Sequence, residues 1–210
     1  MKKSFKEKRR ERLLLLLPPA LLGVIVLGIF LGVRGFHKEK LLFIGDSYAA
    51  KLESAGYGGE NLTIYAVPGI TAGQLRENQW EFPDMKPDKV VLMVGINSLA
   101  EMEEGSIQIQ DERLLIEDLK KLYDAPLYVQ KVFPVGEPLL QHKPVLSVKN
   151  VAEYNRLLEE FCRETEGVIF FDPQEGFLDE NGYLTNTEDN LHIGEDFLGQ
   201  YYENVMEAIR

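Results

Sequence analysis

Cysteine and histidine are scarce in this chain of 210 residues, and their scarcity argues against several kinds of site. Cys162 is the only cysteine, so neither a disulfide framework nor a cysteine-based metal site is expected. The histidines are His37, His142 and His192, which makes a histidine-rich zinc site an unfavourable interpretation. Both observations weigh against a metalloenzyme and against a small disulfide-stabilised domain.

Basic residues are also in deficit. The chain has 23 lysines and arginines against 34 aspartates and glutamates, which gives a net charge of −11. The imbalance is uneven, because residues 1–34 carry a net charge of +6 and the remainder carries −17. A region this acidic is unsuited to nucleic acid or to an anionic lipid surface. No nucleic-acid partner is therefore predicted.

Residues 13–33 form a run of 21 residues without a charge. At about 1.5 Å per residue, a helix of this length spans a bilayer core of about 30 Å. Seven basic residues precede the run, and the positive-inside rule then places the N-terminus in the cytoplasm. The sequence predicts a single-pass protein of the cell membrane: a basic cytoplasmic tail (1–12), a transmembrane signal anchor (13–33), a linker (34–39) and an extracytoplasmic domain (40–210).

A cleavable signal peptide is the alternative interpretation of the same run. Its apolar core is normally about 7–15 residues long and is followed by a small-x-small cleavage site. Here the run ends Leu31-Gly32-Val33-Arg34-Gly35, which offers no Ala-x-Ala sequence. We therefore favour an anchor that is not cleaved.

Beyond residue 40, apolar strand-like runs alternate with helix-like segments. Strands are predicted at 40–45, 62–67, 89–95, 126–133 and 168–172, and helices at about 47–55, 71–79, 112–123, 150–165 and 195–209. Such alternation is typical of a parallel sheet with right-handed crossovers. The predicted fold class is α/β, a single three-layer α/β/α domain with a mostly parallel five-stranded sheet.

A serine lies where the first predicted strand meets a helix. The strand runs into Gly45-Asp46-Ser47, and the helix-compatible segment follows. The free N–H groups and the positive end of that helix favour negative charge developing beside the Ser47 hydroxyl. Ser47 is thus a candidate nucleophile that needs an adjacent base. A simple helix N-cap is the alternative role.

The segment Asp189-Asn190-Leu191-His192 can supply that base and an orienting carboxylate from one loop. Taken alone, His192 is compatible with an ordinary packed or surface histidine, and Asp189-Asn190 with a turn. Two further turns between these segments favour the catalytic interpretation. Gly69 follows the second predicted strand, and Asn97 follows the strongly apolar third strand.

Gly69 can bring a backbone N–H close to a ligand, since no side chain intervenes. Asn97 carries an amide donor at the end of a buried strand, where an open α/β sheet forms its ligand crevice. Together with the N–H of Ser47, these groups predict a three-donor oxyanion hole.

The four turns together resemble the blocks of the SGNH hydrolases, the GDSL-like esterase and lipase superfamily. Gly45-Asp46-Ser47 resembles the first block, Gly69 and Asn97 occupy the second and third, and Asp189 with His192 resembles the last. The resemblance covers roughly residues 40–210 and implies a flavodoxin-like fold. No Gly-x-Ser-x-Gly elbow occurs, so the ordinary α/β-hydrolases are not the match.

Two residues depart from the family pattern. Ser98 replaces the aspartate that usually follows Asn97, which puts the support of that loop in question. Tyr48 replaces the usual leucine after the serine, and a changed wall of the acyl pocket is expected. The stretches 99–111 and 134–149 are long enough to be loops over the site.

The resemblance implies a serine esterase with a catalytic triad of Ser47, Asp189 and His192, and the run at 13–33 adds the expectation that it is membrane-anchored and extracytoplasmic. Asp189 would orient the base, and no metal or organic cofactor is expected. The predicted compartment favours O-acyl esters, with acetyl the first choice, on cell-wall or exported glycans. Lysophospholipase-like lipid hydrolysis, glycan O-acyl transfer and a non-catalytic tethered binding domain are the alternatives.

Overall fold

The structure, a computed structural model, describes residues 38–210 of the chain. The predicted cytoplasmic tail (1–12) and membrane anchor (13–33) lie outside the described residues, as does most of the predicted linker. Residues Glu39–Arg210 form one structural unit. Within residues 38–210, no helix is both long enough and apolar enough to cross a bilayer.

Five parallel strands form the sheet at the centre of this unit. They are β1 (Leu41–Gly45), β2 (Leu62–Ala66), β3 (Lys89–Met93), β4 (Leu127–Gln130) and β5 (Val168–Phe171), in the order β2-β1-β3-β4-β5. The helices are α1 (Ser47–Ser54), α2 (Ala72–Glu77), α3 (Ile96–Ala100), α4 (Gln110–Leu122), α5 (Val148–Glu164) and α6 (Leu198–Ala208). Short 3₁₀ turns lie at Gln79–Glu81, Glu137–Gln141, Pro144–Leu146 and Glu195–Phe197.

Both faces of the sheet are covered, and the inner strands β1 and β3 bury apolar residues on both sides. In β1, Leu42 and Ile44 pack into one core with residues of α2, α4 and α5. Leu41 and Phe43 point the other way, into a second core with residues of α1 and α6. Alternate residues of a strand face opposite sides of the sheet, which produces these two cores. The prediction of a single α/β domain with a five-stranded parallel sheet is confirmed.

The strand order places one crevice above β1. The chain moves from β1 to β2 on one side and then returns past β1 to β3 on the other. Loops leaving the carboxyl ends of neighbouring strands diverge at such a reversal, and ligands of open α/β sheets bind there. The segments that follow β1, β2 and β3 carry Ser47, Gly69 and Asn97 respectively.

Candidate active site

Ser47 is the first residue of α1, directly above the carboxyl end of β1. Asp46 is the N-cap of this helix, since its Oδ1 accepts the N–H of Tyr48 at 3.0 Å. Ser47 is therefore not needed as a cap. Its hydroxyl instead lies 2.8 Å from Nε2 of His192.

Asp189 holds the other side of the histidine ring. The Asp189 Oδ2 lies 2.6 Å from Nδ1 of His192, and Oδ1 accepts the N–H groups of Leu191 at 2.9 Å and His192 at 2.7 Å. A carboxylate can only accept at Nδ1, so Nδ1 carries the proton and Nε2 is free to accept from Ser47. Ser47, His192 and Asp189 thus form one continuous hydrogen-bonded chain.

The hydrogen bonds around Asp189 keep its carboxylate ionised. Partial burial by itself raises the pKa of Asp189, but the bonds from the His192 ring and from the N–H groups of His192 and Leu191 outweigh burial. The net result is a pKa below the usual range of an aspartate. A negative charge therefore stays beside Nδ1 at neutral pH.

The loop that carries Asp189 and His192 is held by the segment following β4. Asn190 adopts a left-handed conformation with φ of 63°, which asparagine tolerates better than most residues. Its carbonyl accepts the N–H of Gly136 at 2.8 Å. The stretch 134–149, predicted to be a loop near the site, thus contacts the loop of His192.

Gly69 lies in a tight turn after β2. The N–H of Ile70 donates to the carbonyl of Val67 at 3.2 Å, and Gly69 has φ of +78°. Proline at the second position and glycine with positive φ at the third are the marks of a type II turn. Within the described residues, the N–H groups of Gly69 and Ser47 have no hydrogen-bond partner. Two of the three predicted oxyanion donors are therefore free.

Asn97, the third predicted donor, ties the other two segments together. It lies in the first turn of α3, and its Nδ2 donates to Oδ2 of Asp46 at 3.3 Å and to the carbonyl of Ile70 at 3.2 Å. Both contacts are longer than the usual 2.9–3.0 Å of an N–H···O bond. The amide therefore lies between the serine turn and the Gly69 turn, loosely held by both.

Asp46 is buried at the centre of this arrangement, with 2% of its surface exposed. Burial raises the pKa of Asp46 from 3.8 to about 7, against the opposing effect of the hydrogen bond from the Tyr48 N–H. The protonation state of Asp46 thus changes near neutral pH. Its two oxygens accept bonds from α1 and from Asn97, so this change acts on both segments.

The sequence of residues 43–196 matches the GDSL-like Lipase/Acylhydrolase family. The chain belongs to this family. It is accordingly a serine hydrolase that cleaves ester bonds, and the family resemblance inferred from the four motifs is confirmed. No curated protein sequence matches the chain.

Solved structures of similar proteins share the fold of this GDSL-like hydrolase. A protein provisionally named platelet activating factor from Streptococcus pneumonia has a TM-score of 0.71 and 19% identity, covering 84% of this chain and 86% of that one. A GDSL-like lipase from Bacteroides thetaiotaomicron has a TM-score of 0.61 and 16% identity, covering 82% of this chain and 86% of that one. The acetylxylan esterase Axe2 from Geobacillus stearothermophilus has a TM-score of 0.55 and 21% identity, covering 81% of this chain and 94% of that one. At these identities the likeness concerns the fold.

Tyr48 packs into an aromatic cluster of the hydrolase and also contacts the loop that carries His192. It is 5% exposed and stacks on Phe133, with ring centroids 5.2 Å apart and planes inclined by 17°. The rings of Tyr48 and Tyr201 pack edge to face, with their centroids 5.8 Å apart. The Tyr48 hydroxyl donates to the carbonyl of Leu191 at 3.0 Å. The expected change in the wall of the acyl pocket stays a prediction, and the hydroxyl adds a bond to the backbone beside His192.

Ser98 supports the Asn97 segment with a hydroxyl group. Its Oγ accepts the N–H of Ala72 at 3.0 Å, which joins α3 to the start of α2. Ser98 also lines a polar cavity of about 210 Å³ together with Glu112. The hydrolase thus has a specific contact where the family usually has aspartate.

Glu112 is a functional candidate that the sequence reasoning missed. It is 1% exposed, and neither carboxylate oxygen has a hydrogen bond of ordinary length. Burial raises the pKa of Glu112, while the nearby hydroxyls of Ser98 and Tyr154 oppose that rise. The signal was available, because Glu112 falls three and seven residues before Leu115 and Leu119 on the buried face of α4. Among residues 38–210, no group of three or more His, Cys, Asp or Glu is placed to hold a metal ion.

Proposed function

We propose that Ser47 is the nucleophile of this esterase, His192 its general base and Asp189 the residue that orients the base. The observation that carries the proposal is the pair of contacts on the His192 ring. Nε2 lies 2.8 Å from the Ser47 hydroxyl, and Nδ1 lies 2.6 Å from the Asp189 carboxylate. Both distances are within hydrogen-bond reach of a nucleophile and its base.

In this mechanism, the Ser47 oxygen attacks the acyl carbonyl while its proton moves to Nε2 of His192. Asp189 stabilises the imidazolium that forms, and His192 then gives the proton to the departing alcohol. Water, activated by the same histidine, attacks the acyl-serine ester, and the acid and free Ser47 are released. The persistent negative charge on Asp189 fits this role.

The N–H groups of Ser47 and Gly69 and the amide of Asn97 are the proposed oxyanion donors. The two backbone N–H groups are unpaired in the described part of the chain, so they can donate without breaking another bond. Asn97 must turn one N–H away from Asp46 or Ile70. Because both bonds are long, this exchange costs little compared with the gain at a developing negative charge.

For the substrate, we propose O-acyl esters, chiefly acetyl esters, of cell-wall or exported glycans. One of the structurally similar proteins is named an acetylxylan esterase, and the uncharged run at 13–33 supports a membrane-anchored location outside the cytoplasm. Another similar protein is named a GDSL-like lipase, which makes lipid esters the second candidate.

The catalytic proposal is tested with the full-length chain and a fluorophosphonate probe, together with acetylated xylan, p-nitrophenyl acetate and a lysophospholipid. Wild type should be labelled and should release acetate from xylan. Ser47→Ala should abolish both, while Ser54→Ala at the other end of α1 should preserve them. Labelling that survives Ser47→Ala would overturn the nucleophile assignment. Fatty acid release from the lysophospholipid alone would replace the glycan substrate with a lipid ester, and transfer of acetyl to an added glycan would indicate an acyltransferase.

The location is tested in intact cells that express the full chain. Protease added outside should digest residues 40–210 without lysis, and the N-terminus of the mature protein should precede residue 13. A mature chain starting after residue 33 would identify a cleaved signal peptide. Digestion only after lysis would reject the outward orientation.

A further inference from the structure

The peptide group between Leu191 and His192 is held from both sides. Its N–H donates to Oδ1 of Asp189 at 2.7 Å, and its carbonyl accepts the hydroxyl of Tyr48 at 3.0 Å. A peptide group is planar, so bonds at both ends fix the orientation of the whole plane. That plane sets the direction in which the His192 side chain leaves the backbone, and therefore the position of Nε2 relative to Ser47.

Tyr48 is well suited to hold this carbonyl. It directly follows Ser47 in α1, so one helix carries both the hydroxyl that meets Nε2 and the hydroxyl that meets the backbone beside His192. Burial, with Tyr201, Asp46 and Asp189 nearby, raises the pKa of Tyr48 well above its ordinary value. The phenol therefore stays protonated, and against a carbonyl it can only donate.

The aromatic neighbours of Tyr48 limit its movement. Its ring packs against Phe133 and Tyr201, and it approaches the His192 ring with centroids 5.9 Å apart. A rigid phenol on a helix is a firmer support for the loop than a long flexible side chain, because it loses little conformational freedom on making the bond.

We propose that Tyr48 is a positioning residue for His192: through the Leu191 carbonyl it holds the base at bonding distance from Ser47. This inference rests on the proposed function, since it requires His192 to be the base. Tyr48 touches no reacting atom, and its effect is on the fraction of molecules in which Ser47 and His192 are aligned. Small misplacements of a base have large kinetic effects.

Tyr201 offers a matched control within the same aromatic cluster. It is fully buried, and its hydroxyl donates to Oε1 of Gln130 at 2.6 Å in β4 and contacts Sδ of Met93 at 3.6 Å in β3. Tyr48→Phe and Tyr201→Phe each remove one buried tyrosine hydroxyl and its hydrogen bonding while preserving the ring. Both should lower stability by comparable amounts, but only Tyr48→Phe should loosen the peptide beside His192.

The experiment compares the two variants as full-length proteins, below the unfolding transition of the less stable one. Tyr48→Phe should lower kcat for p-nitrophenyl acetate and the rate of fluorophosphonate labelling by about threefold to tenfold, with little change in KM, as expected for one hydrogen bond. Tyr201→Phe should retain both rates within about twofold. Circular dichroism and thermal midpoints show that each variant is folded at the assay temperature.

Equal rates in folded Tyr48→Phe and wild type would overturn the inference, as would equal losses in the two variants. A rise in KM with unchanged kcat would also overturn it, because that result indicates a substrate contact. Failure of the proposed function gives a different outcome: wild type is then not labelled at all, or Ser47→Ala is labelled as fast as wild type.

Discussion

Asp46 and Asn97 are joined by a hydrogen bond of 3.3 Å between Oδ2 and Nδ2, across 51 positions of the chain. The other oxygen of the Asp46 carboxylate caps α1 at Tyr48. One buried acid therefore links the helix that begins with Ser47 to the segment that carries the Asn97 amide. The relative placement of the proposed nucleophile and the proposed oxyanion donor depends on a group whose pKa lies near neutrality.

The first prediction concerns the effect of Asp46 on stability. Its pKa is 3.8 in the unfolded reference and about 7 in the folded protein. An acid with a raised folded-state pKa stabilises the fold fully below its unfolded pKa and loses that contribution as pH rises to its folded pKa. Relative to Asp46→Asn, which stays neutral, wild type should lose stability between pH 3.8 and about 7 and change little above.

Urea unfolding of both proteins at pH values below, within and above this window measures the difference directly. Asp46→Asn also loses the acceptor for Asn97, which adds an offset that does not vary with pH. The pH-dependent part is therefore the informative one. A difference between the two proteins that stays constant across the window would show that Asp46 remains ionised in the fold.

The second prediction concerns Asn97 as an oxyanion donor. Asn97→Ala should lower kcat by about 10²–10³-fold with little change in KM, because the amide matters most once charge has developed on the oxygen. Steady-state kinetics on p-nitrophenyl acetate gives both constants. If Asn97 serves only to join Asp46 and Ile70, the variant should lose stability while its folded molecules turn over normally. A folded variant with wild-type kcat would remove Asn97 from the oxyanion hole.

The third prediction separates the role of Asp189 in catalysis from its role in the loop. Asp189→Asn removes the charge beside Nδ1 and allows the wrong histidine tautomer, so kcat should fall severely. Asp179 is a matched control, because its Oδ1 also accepts two backbone N–H groups, those of Asn181 and Tyr183, and its hydrogen bonds all lie within the turn 179–183. Asp179→Asn should retain activity.

Rates of ester hydrolysis and thermal midpoints for the two variants check this expectation. Similar midpoints with a loss of activity confined to Asp189→Asn would support orientation of the base. Equal loss of activity in both variants would instead indicate that any weakened turn in this part of the chain disables the enzyme.

Much of the fold was predictable because its signals are local. The apolar runs that became β1 to β5 are short and distinct, and a glycine ends β1 while others follow β2 and β3 closely. The same locality revealed Ser47, Gly69, Asn97, Asp189 and His192 as a set. Their hydrogen-bond geometry depends on tertiary structure and could not be read from the sequence.

The structural features that the sequence did not predict depend on contacts between segments that are distant along the chain. The helix α3 has only five residues, too few to show a period. Asp46 was interpreted only as part of a motif, although its raised pKa follows from burial. Tyr48 meets Leu191 across 143 positions, and no local pattern connects two such residues. Glu112 was detectable as a charge on an apolar helix face, but its neighbours were not.

The last prediction concerns Ser98, the residue after Asn97, and Glu112, which line one polar cavity. Ser98→Asp restores the residue usual in the family, but here it would place a second carboxylate near a buried one. Like charges disfavour ionisation of both, so this variant should be less stable than wild type, and increasingly so as pH rises through the ionisation of the two acids.

Glu112→Gln removes one of the two acids, and the double variant should recover most of the loss. Urea unfolding of the four proteins should give a coupling energy of about 1–3 kcal/mol. Additive effects would show that the two side chains do not interact, and an Ser98→Asp protein as stable as wild type would show that the cavity accommodates both charges.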